Sequence, residues 1–204
     1  METRNKVQKY WQNPPDKENS PEAYAKHTER SDYLLSLMGK YVGKQDSILE
    51  IGCNVGRNLN ALFNSGYKNL TGVEISKRAI EESRRQYPHL EVTLRNSSVE
   101  DWVKEKDEYD CIFSMAVMVH LPYESDWVLK EISKKTRKVL ITIEDEENIT
   151  WKHFPRNYGE IFTKFGWKQI FAEDLYKEGS FGESARGYIT RVFIRKPTNE
   201  ERKI

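Results

Sequence analysis

The chain has 204 residues, 37% of them apolar and 32% charged, and its 33 basic and 32 acidic side chains leave a net charge of +1. That length fits one domain burying about 70% of the surface an unfolded chain would expose. The even charge gives no sign of a nucleic-acid partner, which would call for a basic excess or face. No stretch reaches the roughly 18 apolar residues of a membrane span, and the start Met1-Glu-Thr-Arg-Asn-Lys6 lacks the apolar centre of a secretory leader, so a soluble cytoplasmic protein with no membrane partner is expected. The two cysteines, Cys53 and Cys111, suggest neither a disulfide framework nor a metal motif.

Residues 1–20 are polar and read as irregular, Asn13-Pro-Pro-Asp16 included. Ser20 reads as an N-cap with Pro21 at the first helical position and Gly39 as a stop, which predicts a helix over 21–38. Tyr24, His27 and Arg30 or Ser31 share one face of it. The run Ser47-Ile-Leu-Glu-Ile-Gly-Cys-Asn-Val-Gly56 predicts a strand over 47–51, a glycine turn and a helix over 57–64. Glycine at 52 and 56 removes the Cβ atoms that would hold a ligand off the backbone, and the helix start offers unpaired N–H groups with partial positive charge. A Gly-x-Gly-x-x-Gly dinucleotide turn starting at Gly52 would need glycines where Asn54 and Arg57 stand, which weakens a nicotinamide or flavin reading. Glu50 precedes the turn. Glu74 ends the next apolar run, 69–73, about 20 residues beyond the turn, the place of an acid that accepts ribose hydroxyls.

Ser76 caps a predicted helix over 77–86, which Pro88 closes. A strand over 91–95 leads into a helix over 98–105. A strand over 109–114 leads into Met115-Ala-Val-Met-Val-His-Leu-Pro122. A helix over 124–135, a strand over 138–143, the acidic run Glu144–Glu147 and a helix over 156–165 follow. Two last strand-like runs, 167–174 and 188–195, flank a loop. The basic cluster Lys134, Lys135, Arg137 and Lys138 reads as a solvated helix end. Such alternation predicts a mostly parallel sheet with helices on both faces.

The pattern Glu50-x-Gly-Cys-Asn-x-Gly56, followed by Gly72-Val-Glu-Ile-Ser76, resembles the class I S-adenosylmethionine-dependent methyltransferases, over about Ser47 to Glu144 and reaching Lys196. The resemblance implies a Rossmann-like α/β fold with a seven-stranded mostly parallel sheet, one of its last two strands antiparallel. It implies an irregular segment and lid helix over 1–40, a cofactor-binding methyltransferase domain over 41–196 and a tail over 197–204. Gly52, Cys53, Asn54 and Gly56 would carry the methionine part of S-adenosylmethionine, Glu50 would be a further cofactor contact, and Arg30 would pair with the methionine carboxylate through a planar fork. Glu74 and Ile75 would hold the ribose, Ser98 and Val99 the adenine, and Ser114 and Met115 would lie beside the sulfonium. Asn54 stands in place of the usual middle glycine, a change that asparagine tolerates at left-handed backbone angles. Ser98 stands where an aspartate is more usual.

Methyl transfer from a sulfonium is a direct displacement, so alignment can supply roughly 7–11 kcal/mol while a general base adds about 10² to 10⁴ in rate. His120, His153 and Glu144 are the candidate bases. Tyr24, His27, Asp145, and Tyr176 and Arg186 of the loop over 176–187 are candidate substrate contacts, and Tyr10 and Trp11 candidate caps on the pocket. Asn13-Pro-Pro-Asp16 resembles an amino-group-binding motif that belongs after the fourth strand; here it precedes the sheet. The expected activity is transfer to a small-molecule acceptor such as a hydroxyl of a sugar or other metabolite. The alternatives are a protein, peptide or RNA acceptor, or a non-catalytic partner subunit. Oligomeric state is not legible.

Overall fold

The computed structural model describes residues 2–26, 28–179 and 181–195. Its strands are β1 (Ile48–Ile51), β2 (Leu70–Glu74), β3 (Thr93–Asn96), β4 (Tyr109–Met115), β5 (Thr136–Asp145), β6 (Trp167–Asp174) and β7 (Tyr188–Arg195). They form one sheet in the order β3-β2-β1-β4-β5-β7-β6. β7 runs antiparallel to both of its neighbours, and the other pairings are parallel. This is the class I methyltransferase fold. Every residue of β1 and β2 is buried, as a parallel sheet covered on both faces requires.

The helices are α1 (Glu2–Gln12), α2 (Pro21–Tyr24), α3 (Thr28–Tyr41), α4 (Arg57–Asn64), α5 (Lys77–Gln86), α6 (Val99–Trp102), α7 (Trp127–Lys135) and α8 (Tyr158–Lys164). Side chains alternate across β1, so Ile48 packs with Leu34, Leu37 and Met38 of α3 and Leu59 and Leu62 of α4. Leu49 and Ile51 face the other way, toward Trp102 of α6, Ile132 of α7 and Phe162 of α8. Those two apolar layers leave the carboxyl ends of β1, β2, β4 and β5 level with one another, with Ile51 opposite Val73 and Ser114, and Met115 opposite Ile143. Among the described residues no helix is long and apolar enough to cross a membrane.

Three expectations fail at the amino end. The segment expected to be irregular contains α1, whose Val7 is buried one turn from Trp11. The helix expected over 21–38 is two helices, α2 and α3. Ser20 does cap α2, its Oγ accepting from Ala23 N at 3.3 Å. Gly39 does not stop α3; it is exposed with open space where its Cβ would be, and the helix runs to Tyr41. A solvent-facing glycine costs a helix only about 1 kcal/mol, too little to end one whose other face is packed.

Candidate functional site

Strand order reverses between β1 and β4, and open α/β sheets bind ligands at such a point, beyond the carboxyl ends of the strands. A cleft open to solvent lies there. Its floor is the turn after β1. Gly52 (φ 67°) and Gly56 (φ 73°) are left-handed, as is Asn54 (φ 47°) between them. A Cβ on Gly52 would overlap the Val117 side chain, and one on Gly56 would sit 2.8 Å from Ser83 Oγ. Glycine is therefore required by space as well as by backbone angle.

Two buried carboxylates flank that turn. Glu74, at the end of β2, accepts from Asn54 N at 2.9 Å and Ser76 N at 2.7 Å, which leaves lone pairs on both oxygens for further donors. Burial raises its pKa. Glu50 accepts from Asn58 Nδ2 at 2.7 Å through Oε1, while Oε2 is buried without any hydrogen-bond partner among the described residues. Burial pushes Glu50 up to about 8. Asn58 belongs to a network reaching the amino-terminal helices, in which Arg57 donates to Ser31 Oγ at 2.9 Å and to the Tyr24 carbonyl at 3.0 Å.

The wall opposite is aromatic. Trp11 of α1 lies 4.3 Å from the His120 ring, centroid to centroid, and both border the cleft. Lys152 Nζ donates to Tyr10 Oη at 2.8 Å and lies over both the Tyr10 and Trp11 rings. His120 Nδ1 is 2.8 Å from the Lys152 carbonyl and so carries the proton, leaving the lone pair on Nε2. Burial lowers its pKa to about 3, so the ring is neutral at physiological pH.

Of the residues singled out from the sequence, Tyr24, Arg30, Glu50, Gly52, Cys53, Asn54, Glu74, Ile75, Val99, Met115 and His120 border the cleft. Gly56 supports the turn from beneath, with the Cβ-free approach to Ser83 described above. Ser98 instead caps α6, accepting from Asp101 N at 3.1 Å. Ser114 donates to Glu144 at 2.5 Å, and Glu144 also accepts from the amides of Val117, Met118 and Val119 at 3.0–3.2 Å. The Glu144 carboxylate is thus committed to holding the loop after β4, away from the cleft, with burial raising it to about 7. Asp145 accepts from Glu147 N, Asn148 N and the Asn148 side chain, fixing the turn after β5. His153 lies behind His120, ring centroids 4.8 Å apart, with Nδ1 4.0 Å from Asp145. Tyr176 and Arg186 pair with Glu183 and with each other on the surface. His27 lies outside the described residues. Glu100, buried on the cleft wall with Oε1 accepting from Ser125 Oγ at 3.1 Å, carried no signal in the sequence beyond its place in a short helix. Asn58 likewise lies in an ordinary helical turn; only the fold aims it at Glu50.

The basic cluster has partners throughout. Lys134 pairs with Glu131, Arg137 with Asp110 and Lys138 with Asp46, while Lys135 donates to the carbonyls of Glu105 and Asp107.

Residues 48–138 match the family model of a methyltransferase domain. A search of curated protein sequences returned no match. Among solved structures, the chain is similar to magnesium protoporphyrin IX methyltransferase from Synechocystis PCC 6803 with bound S-adenosylmethionine (TM-score 0.70, 14% identity, 96% of this chain and 98% of that one). It is also similar to geranyl diphosphate C-methyltransferase from Streptomyces coelicolor A3(2), in complex with Mg²⁺, geranyl diphosphate and S-adenosylhomocysteine (TM-score 0.68, 13%, 95% and 97%). A [4+2]-cyclase shares the fold as well (TM-score 0.63, 13%, 80% of each chain).

Proposed function

We propose, from the premise that this chain belongs to the class I S-adenosylmethionine-dependent methyltransferases, that it transfers a methyl group from S-adenosylmethionine to a small-molecule acceptor. The observation that carries this is the Glu50 carboxylate, buried beside the left-handed glycine turn with one oxygen lacking a partner. A buried carboxylate oxygen without a donor costs several kcal/mol, and an ammonium brought to it would remove that cost. The free lone pairs of Glu74, about 20 residues along, suit a vicinal diol. A ligand with an amino-acid tail and a ribose fits both.

When bound, the cofactor supplies a methyl group on a good leaving group. The chain's own residues supply position. Gly52, Asn54 and Glu50 would hold the tail and Glu74 and Ile75 the ribose. Ser97, Val99 and Glu100 border the far wall, where the adenine would lie, and Trp11 and His120 line the wall opposite. For a hydroxyl acceptor, a sugar's or another metabolite's, His120 is the base the cleft offers, through Nε2. Its low pKa makes it a weak one.

The absence of uncommitted cations in the basic cluster favours a small solute over RNA. A solvent-open cleft with the glycine turn, Glu50 and Glu74 all on its walls favours an enzyme over a non-catalytic subunit. Calorimetry with S-adenosylhomocysteine tests the assignment: binding is expected in the unaltered chain and lost in Gly52→Val and Glu74→Ala, and unchanged affinity in both variants overturns it. Transfer of labelled methyl groups into fractionated cell extract tests the acceptor class, and label in macromolecules rather than small solutes would reverse it.

A further inference from the structure

A second, smaller cavity opens beside the main cleft over the carboxyl end of β5 and the start of β7, and the two share Arg30 and Met115. The glycine turn and Glu74 place the cofactor over β1 and β2. A molecule in the second cavity would therefore meet it across Met115. Ile143, Leu175, Phe181 and Ala185 make the walls apolar. Four polar side chains line it: Tyr33, its hydroxyl already bonded to Glu173 and Thr190; Ser184, its hydroxyl donating to the Phe181 carbonyl at 2.9 Å; Tyr188, its hydroxyl with no hydrogen bond among the described residues; and Arg30, its guanidinium with no hydrogen bond or ion pair among them. Among the described residues no carboxylate or imidazole lines this cavity. Burial raises the pKa of both phenols, so neither is a base at neutral pH.

Resting on the methyltransferase reading, we propose that the second cavity is the acceptor pocket and that it takes a small, largely apolar carboxylic acid, methylated to its ester. An apolar wall selects an apolar body. A wall without a base selects a nucleophile that arrives with its lone pair available, and one uncommitted guanidinium selects an anion over an amine. The step balances without a proton acceptor: a carboxylate oxygen forms the O–CH₃ bond as the S–CH₃ bond breaks, and the electron pair of that bond stays on sulfur, leaving a neutral thioether and a neutral ester. Arg30 would hold the carboxylate, and Tyr188 is placed to donate to its second oxygen.

The test is calorimetry with the full chain saturated in S-adenosylhomocysteine, titrated with 3-phenylpropanoate, 3-phenylpropan-1-ol and 3-phenylpropane-1-thiol, followed by labelled methyl transfer from S-adenosylmethionine to each. The acid is expected to bind and to give a product whose label is released as methanol by alkali. Arg30→Gln should weaken the acid by about ten- to a hundredfold, and Tyr188→Phe, which alters only the second cavity, should weaken the acid while S-adenosylhomocysteine binds as before. Ala185→Leu, which fills the cavity from a buried wall position, should weaken all three compounds alike. Equal or better binding of the alcohol or thiol, an Arg30→Gln effect confined to the cofactor product, or no acid binding at millimolar concentration overturns the proposal. Loss of S-adenosylhomocysteine binding by the unaltered chain would sink the underlying methyltransferase reading instead.

Discussion

Burial favours the neutral form of Glu50, and a cation brought against Oε2 would favour the charged one. An exposed glutamate titrates near 4.3, and burial moves Glu50 to about 8. Between those values the folded, ligand-free chain binds a proton that the unfolded chain does not, so Glu50 makes stability fall as pH rises through that window. Glu50→Gln removes the ionisable group. The variant should therefore melt above the unaltered chain at pH 8 in the absence of ligand and gain little near pH 5, which differential scanning calorimetry at the two pH values reads directly. Binding should show the reverse. An ammonium placed against Oε2 favours the carboxylate, so S-adenosylhomocysteine should release a proton at pH 7 and bind more tightly as pH approaches 8. Titration calorimetry in buffers of different ionisation enthalpy would detect that proton. Glu50→Gln should abolish the release and weaken binding by about ten- to a hundredfold, the scale of a charged hydrogen bond. An enthalpy independent of buffer would refute the assignment of Glu50 to the amino group.

Two elements shape the cleft from outside the glycine turn. The loop after β4 is strapped down by Glu144, which accepts from the Ser114 hydroxyl and three successive backbone amides. All four partners are donors, so Glu144→Gln would turn an amide NH₂ toward an N–H and cost about 1–3 kcal/mol, visible as a lower melting temperature. Because Val117 packs against Gly52, cofactor affinity should fall with it. The other element is α1. Trp11→Ala should leave the melting temperature nearly unchanged but weaken S-adenosylhomocysteine several-fold, by removing the ring that lies against His120; equal affinity in the variant would show that α1 does not close over the ligand. These are also the elements the sequence disclosed least. The strands and the turn at 47–56 were legible because an apolar run ending in Gly52 and Gly56 has few other uses. α1 was not, because its two cleft-facing apolar residues, Val7 and Trp11, are a single i, i+4 pair in an otherwise polar run, too few to set a period. In the acidic run Glu144–Glu147, local chemistry is the same at each position, and only the pairing of β5 with β4 turns Glu144 inward beneath the loop while Glu146 meets Arg191.

At the scale of the whole molecule, the cleft is assembled from segments far apart in sequence. The turn at 52–56, the end of β2, the loop after β4 and α1 meet only because the sheet order brings β1 between β2 and β4 and the amino-terminal helices lie over their ends. No single one of these elements carries the site, so a ligand bound there links them and opposes global unfolding rather than local fraying. A ligand that binds only the folded chain, at one hundred times its dissociation constant, stabilises by about 2.7 kcal/mol. For a domain of this size that corresponds to about 5–10 °C in melting temperature. S-adenosylhomocysteine at that excess should produce such a shift, and hydrogen exchange should show added protection at the turn after β1, at Val117–Val119 and in α1 together. NADH should give neither effect, since Asn54 and Arg57 occupy the positions where a dinucleotide turn places its second and third glycines. Protection limited to the β1 turn, with α1 exchanging as in the free chain, would mean that the amino-terminal helix packs beside the cleft without taking part in binding.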